Sequence, residues 1–229
     1  MRTLAVLPVK SFDAAKGRLR ARLGPAARAA LAEAMLGDVL AAVSRASEID
    51  GVAVVTAEAR AAAVARSTGG EILHDAHEAG QSPAAAIGIA RAVAAGYDRV
   101  VLLPGDTPLL MPADLDGLCR RAAAEGLGAA IVSDRHGTGT NALLLRPPDA
   151  LAPSFGPDSL ARHVASAHTA GVVHAVERIA ALEHDVDTPE DLAALAARLS
   201  ATEPTTAPRT RAALARIEPA RDPRSAAEA

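Results

Sequence analysis

The sequence is poorest in aromatic residues. It has no tryptophan, and only Phe12, Tyr97 and Phe155 carry an aromatic ring in 229 residues. That shortage argues against base-stacking platforms and large aromatic-lined pockets. Cysteine is almost as scarce. Cys119 stands alone, which excludes an internal disulfide, a stapled secreted scaffold and any multi-cysteine zinc or iron–sulfur site. No run of apolar residues reaches the length of a bilayer-spanning helix, and the opening MRTLAVLPVKSFDAAKGRL is too soon interrupted by Lys10 to read as a signal peptide. Nor does either charge dominate. With 24 Lys+Arg against 27 Asp+Glu the net charge is −3, which argues against a broad basic nucleic-acid surface. These absences predict a cytoplasmic protein with neither a nucleic-acid nor a membrane partner.

What is present is aliphatic. Half of the chain is apolar, ample for one sizeable core built from Ala, Val, Leu and Ile. Strand-like and helix-like segments alternate. TLAVLPV at 3–9, GVAVVT at 51–56, a short segment at 70–73, DRVVLL at 98–103 and AAIVS at 129–133 read as strands. Between them lie a helix at 25–46 opened by Pro25, an Ala-rich helix, a helix with Ser82 and Pro83 as N-cap and first turn, and another opened by Pro112. Such alternation predicts a mostly parallel sheet covered by helices, with ligands bound beyond the carboxyl ends of the strands. After Arg135 the rhythm changes. HGTGTNALLL reads as a loop feeding an antiparallel strand, SFGPDSLARH as a turn entering a helix, GVVHAV as a strand and HDVDTPEDLAALAARL as a loop and helix. Residues 201–229 lack periodicity and predict a flexible tail, with one or two helical turns at RAALARI.

Four segments can carry chemistry. Lys10, Lys16 and Arg18 follow the first strand together with Pro8 and Ser11, an arrangement suited to a phosphate chain. A solvated basic loop explains them equally well, and the glycine pattern of a P-loop is missing. In LLPGDTPLL, Asp106 ends a fully apolar strand beside Gly105, where a carboxylate can hold Mg²⁺ or merely form a turn before Pro108. In HDVDTPEDL, Thr188 through Asp191 read as a helix start, but Asp185 and Asp187 are left unexplained and can face one cation. In GTGTNAL and FGPDS, glycines permit close backbone approach while Thr138, Thr140, Asn141 and Ser159 supply polar groups, a combination that two ordinary turns would also contain. The seven histidines show no metal-ligand spacing and read mostly as surface or loop residues. Cys119 reads as a core residue.

Taken in order, LPVKSFDAAKGRL, LLPGDTPLL, GTGTNALLL, FGPDS and DVDTPEDL are specific as a set. Over residues 1–200 the chain resembles the CofC/FbiD guanylyltransferases, which make the guanylated precursor of coenzyme F420. The resemblance implies an α/β fold: a single-domain, three-layer, Rossmann-like nucleotidyltransferase of GT-A type with a mostly parallel mixed sheet. It implies GTP and a small phosphorylated acid as partners, with phosphoenolpyruvate favoured over 2-phospho-L-lactate and 3-phosphoglycerate. It also implies a downstream transferase that passes the labile product to the deazaflavin Fo, and it admits a homodimer. Carried over, Asp106, Asp185 and Asp187 would bind Mg²⁺. Thr140 or Asn141, Gly156 and Ser159 would hold the acid. Lys16 and Arg18 would act with Asp106 in catalysis, and Pro8, Lys10, Lys16, Gly80 and Gly105 would face the nucleotide. One departure concerns the base: Gly80-Gln81-Ser82-Pro83 stands where many relatives have Gly-Leu-Asn. The competing readings are a GT-A glycosyltransferase using Asp185-Val186-Asp187, a sugar-phosphate or molybdenum-cofactor nucleotidyltransferase, and a regulator that binds GTP without turnover. The late position of the Asp-x-Asp pair disfavours the first. The lack of a glycine-rich loop after the first strand disfavours the second.

Overall fold

A computed structural model describes residues 1–12 and 16–217. Its centre is a seven-stranded sheet in the order β3-β2-β1-β4-β6-β5-β7. The strands are β1 (Thr3–Pro8), β2 (Gly51–Thr56), β3 (Glu71–His74), β4 (Arg99–Leu102), β5 (Ala129–Ser133), β6 (Thr140–Leu145) and β7 (His174–Glu177). All pairings are parallel except those of β6, which runs against both β4 and β5. This matches the expected parallel-to-antiparallel change after Arg135. The reversal has a consequence for function. The amino end of β6, at Thr140, lies on the same sheet edge as the carboxyl ends of β1 and β4.

Two helical layers cover the sheet. One face packs against α1 (Pro25–Val43), α2 (Ala59–Ser67) and α4 (Pro112–Ala124) through Leu7, Leu36, Val39, Leu40, Val101 and Leu118. The other packs against α3 (Gln81–Ala94) and α5 (Ser159–Ala170) through Val6, Val55, Ala85, Ile131 and Leu143. Strands buried on both faces explain the unbroken apolar runs of β1 and β4. Each fully buried Leu side chain contributes roughly 1.5–3 kcal/mol by leaving water. With almost no aromatics to fill space, small side chains let the layers close together. Gly88 of α3 is the extreme case, because a Cβ there would lie 2.2 Å from Val6 Cγ1. Cys119 is buried, as expected, and burial pushes its thiol up to about 11, so it is an inert core thiol.

A third cluster lies at one end of α1. It joins Leu31 and Met35 to Leu195 and Leu199 of α6 (Pro189–Ser200) and to Ala213 and Leu214 of α7 (Pro208–Ile217). The segment expected as a tail from residue 201 is therefore structured through 217, with a full helix at 208–217. Asp38 of α1 supplies the reason. Its buried carboxylate accepts the N–H groups of Arg209 (3.2 Å) and Thr210 (2.8 Å), capping α7 from a distant helix. Residues 218–229 of that expected tail lie outside the described residues.

One of two local capping expectations changes. Ser82 does not cap α3, since Gly80 holds the N-cap position and helix starts at Gln81. The Ser82 hydroxyl instead accepts the Phe155 N–H at 2.8 Å. At α6 the expected cap is present: Thr188 and Asp191 form a reciprocal capping box.

Candidate functional site

The site grows from the carboxyl edge of the central strands. Pro8 ends β1, and the chain then turns into a loop whose backbone is tied down by acids from β2 and β3 connections. Glu58 accepts the Phe12 N–H at 3.0 Å and Glu78 accepts the Ser11 N–H at 3.2 Å. Lys16 adopts a left-handed backbone (φ 56°) just ahead of the 3₁₀ turn Gly17–Ala21. That turn buries Leu19 in the third cluster and leaves Arg18 and Arg20 at the surface.

Lys16 is the pivot. Its side chain is 7% exposed, and its ammonium donates to Asp106 Oδ2 and to Asp187 Oδ1, the latter at 3.0 Å. Burial pulls its pKa down, but the charges of Asp106 and Asp187 outweigh burial and hold the ammonium above its ordinary value. Asp185 titrates above the ordinary carboxylate range, first because it is buried and then because Asp106 and Asp187 repel its charge. Asp106 at β4's end and Asp187 in the loop before α6 thus share one lysine, with Asp185 close enough to feel their charge.

A cleft of about 350 Å³ opens beside this pivot. Its walls include Pro8, Lys10, Lys16, Gly80, Gly105, Asp106 and Asp187. The two halves of the expected nucleotide set, distant in sequence, therefore meet in one cavity. Arg18 lies in an adjoining depression with Lys16, Arg20 and Asp187. Asp185 borders a separate crevice with Arg135 and Asp191. Two charged lining residues, Asp75 and Arg20, escaped the sequence reading, and Gln81 entered it only as part of the departure at the base. Asp75 and Gln81 border the cleft, and Arg20 borders the depression. Asp75 is nearly buried, and its Oδ1 accepts the N–H groups of Glu78 (3.0 Å) and His77 (3.4 Å). Its Oδ2 has no protein donor among the described residues.

The donor set suits a hard divalent cation, being all carboxylate oxygen with excess negative charge. Among the described residues, however, no three His, Cys, Asp or Glu groups are arranged to hold a metal as they stand. Lys16 supplies the positive charge between Asp106 and Asp187.

The second group of expected residues lies on the α5 side of the same edge. The Thr140 N–H donates to Ser159 Oγ at 2.8 Å, which joins the start of β6 to the start of α5. Gly156 turns the loop between them at φ 112°, a conformation that an L side chain rarely adopts. Asn141, the next residue along β6, points the other way. Its amide donates to the Leu182 carbonyl at 2.6 Å, so Thr140, not Asn141, shares a face with Ser159.

One histidine departs from the expected surface placement. His163 is fully buried, and burial together with the Arg162 charge pushes its pKa down to about 4. Its position on the inward face of α5 was hidden because the five-residue spacing to His168 suggested no shared face.

Comparisons with known proteins give the family. The family model described as "Guanylyl transferase CofC like" matches residues 3–206. The chain is 50% identical over 195 residues to a phosphoenolpyruvate guanylyltransferase of Conexibacter woesei, covering 85% of this chain and 87% of the relative. It is 35% identical to a 2-phospho-L-lactate guanylyltransferase of Methanothermobacter thermautotrophicus, covering 84% and 83% of the two chains. A solved cytidylyltransferase from Leptospira borgpetersenii superposes with a TM-score of 0.62 at 13% identity, over 96% of this chain and 94% of that one, a likeness of fold.

Proposed function

The chain belongs to the CofC-like guanylyltransferase family, and from that premise we propose that it transfers the guanylyl group of GTP to phosphoenolpyruvate and releases diphosphate. The observation that carries this reading is the meeting of Lys16, Asp106 and Asp187 at the cleft, in a chain half identical to a phosphoenolpyruvate guanylyltransferase.

A phosphate oxygen of the acid attacks the α-phosphorus of GTP. The new O–P bond forms as the bond from the α-phosphorus to the β-phosphate bridging oxygen breaks, and its electron pair leaves with diphosphate. Both reactants are anions, so the barrier is mainly the cost of bringing like charges together. Lys10 and Lys16 face the phosphates from the β1 loop, and Arg18 and Arg20 extend that positive wall where the leaving diphosphate collects charge. The attacking phosphate is already ionised at neutral pH, so the reaction needs no general base. A divalent cation such as Mg²⁺ would neutralise phosphate charge and polarise the α-phosphorus, and Asp106, Asp185 and Asp187 would have to draw together around it in place of the Lys16 ammonium.

At the base end, guanine presents donors at N1 and at its 2-amino group. The free Oδ2 of Asp75 is an acceptor suited to those donors, and the amide of Gln81 can reach the same edge of the cleft. At the acid end, Thr140, Gly156 and Ser159 hold phosphoenolpyruvate. The product is then the guanylated precursor of coenzyme F420, and its consumer is the transferase that moves it to Fo.

The test is diphosphate release from GTP with phosphoenolpyruvate, 2-phospho-L-lactate or 3-phosphoglycerate in turn, in the presence of Mg²⁺. Excess Fo transferase traps the labile product. Highest kcat/KM with phosphoenolpyruvate supports the assignment. Preference for another acid moves the substrate, and GTP binding without diphosphate release identifies a regulator.

A further inference from the structure

The histidine buried behind the acid-binding end has a role that neither charge nor nucleophilicity explains. His163 lies one turn into α5 and makes two hydrogen bonds with different elements. Its Nε2 accepts the Ser154 N–H at 2.9 Å, and its Nδ1 lies 2.9 Å from Thr140 Oγ1. A backbone N–H can only donate, so Nε2 carries no proton. In the neutral ring the proton is then on Nδ1, which donates to the Thr140 hydroxyl oxygen. Ring neutrality agrees with the depressed pKa.

The consequence reaches both hydroxyls of the acid site. Thr140 Oγ1 accepts from His163, and Ser159 Oγ accepts from the Thr140 N–H. Both oxygens are nearly or fully buried, and neither hydroxyl donates to another group among the described residues. Each oxygen thus accepts one hydrogen bond from the protein and keeps its own proton to offer. A carboxylate or phosphate presents acceptors, so two unspent hydroxyl protons match the acid.

The same histidine holds the loop that carries Gly156. Besides the bond to Ser154 N–H, its ring packs edge-on against Phe155 with centroids 5.3 Å apart. Arg162 grips the loop from the exposed side, donating to Ser154 Oγ (2.7 Å), to the carbonyls of Ser154 (2.9 Å) and Phe155 (3.3 Å), and to that of Pro157. Ser82 of α3 accepts the Phe155 N–H from the nucleotide side. His163 links the Ser154 end of this loop to the Thr140 side chain, as Ser159 links its Gly156 end to the Thr140 backbone.

We infer that His163 is a positioning residue for the acid substrate: it fixes the Ser154–Asp158 loop and orients the Thr140 hydroxyl as a donor, beside the Ser159 hydroxyl that the Thr140 N–H orients in the same sense. The inference rests on the reading that Thr140, Gly156 and Ser159 hold the phosphorylated acid.

Two half-mimics separate its functions. In His163→Gln the amide oxygen takes the place of Nε2, keeping an acceptor for Ser154 but losing the donor to Thr140. In His163→Asn the amide nitrogen takes the place of Nδ1, keeping the donor but losing the acceptor. Each is expected to raise KM for phosphoenolpyruvate about tenfold, the worth of one hydrogen bond, while KM for GTP changes less than twofold. Because His163→Gln acts through the Thr140 hydroxyl, adding it to Thr140→Val should raise that KM no further. Equal rises in both KM values, or effects that multiply in the double variant, would reduce His163 to a core residue and overturn the inference. A second measurement needs no variant. ¹⁵N shifts of the imidazole in the wild-type protein at pH 7 should report the neutral Nδ1–H tautomer, and the Nε2–H tautomer or an imidazolium would overturn it. Wild-type turnover separates the two levels: no diphosphate release with any phosphorylated acid defeats the substrate reading, whereas normal turnover with unmoved KM values in the variants defeats only the role of His163.

Discussion

Lys16 and Asp187 are 171 residues apart in the chain, yet the lysine ammonium lies 3.0 Å from the Asp187 carboxylate while also donating to Asp106. The contact joins the loop after the first strand to the loop before α6 and closes one end of the cleft. Replacing Lys16 by Ala should lower kcat about 10²-fold, the usual cost of removing one preorganised group that stabilises developing charge. KM for phosphoenolpyruvate should change little, because the proposed role of Lys16 is toward the nucleotide. Asp106→Asn and Asp187→Asn should each reduce diphosphate release at least as much while circular dichroism stays that of the wild type. Steady-state kinetics of the three variants check this, and near-normal Mg²⁺-dependent turnover in either aspartate variant would remove that residue from the site.

Asp75 should govern the choice of base. Asp75→Asn keeps Oδ1 as the acceptor for Glu78 and His77 N–H groups, so the turn survives. It replaces the free acceptor with a donor. Losing a charge-assisted bond to guanine, worth about 1.5–3 kcal/mol, should lower kcat/KM for GTP roughly 10- to 100-fold. Xanthosine triphosphate, which carries an oxygen where guanine has its amino group, should gain. Competition between the two nucleotides measures the switch.

Asp191 ties the α6 cap to Arg135, whose guanidinium donates to it, and it accepts the N–H groups of Asp187 (3.0 Å) and Thr188 (2.8 Å). Burial pushes its pKa up, but the Arg135 and Thr188 bonds outweigh that and leave it below the ordinary value of 3.8. A lowered folded value means that its stabilisation is complete above pH 3.8 and fades as pH falls through the lower folded value. Asp191→Ala should therefore cost about 1–2 kcal/mol at pH 7, the range for losing a cap. The gap between variant and wild type should narrow below pH 3.8. Urea unfolding at pH 7 and pH 3 checks both parts.

Asp38→Ala should uncap α7. The loss should be about 1–2 kcal/mol, with hydrogen exchange at residues 208–217 rising before that of α1. Exchange that rises equally in both helices would show that α7 opens only with the whole domain.

The sheet was legible because its signals are local. β1 and β4 are short apolar runs between turn residues, and Pro25, Pro112 and Thr188 mark helix starts by chemistry that needs no tertiary context. The site residues were legible as separate motifs at strand ends, where open α/β sheets bind ligands. What was hidden depends on contacts across the fold. α7 looks unpromising by itself, with Arg, Thr and Pro among its apolar residues, and it is completed by Asp38 from another helix. Ser82 looked like a cap because nothing nearby revealed Phe155 as its partner. Thr140 and Asn141 could not be told apart until their partners, His163 of α5 and the Leu182 carbonyl, placed them on opposite faces. His163 was read as surface because inward and outward positions of a short amphipathic helix differ by one residue, and its partners lie 9 and 23 positions away.

The central claim is guanylyl transfer, and the fate of the α-phosphorus tests it most directly. Wild-type protein is incubated with phosphoenolpyruvate, Mg²⁺ and GTP labelled either at the α- or the γ-phosphorus. The α label should appear with guanosine in an adduct of phosphoenolpyruvate, and the γ label should leave in diphosphate. Appearance of labelled inorganic phosphate and GDP, or diphosphate release that does not require the acid, would contradict the account.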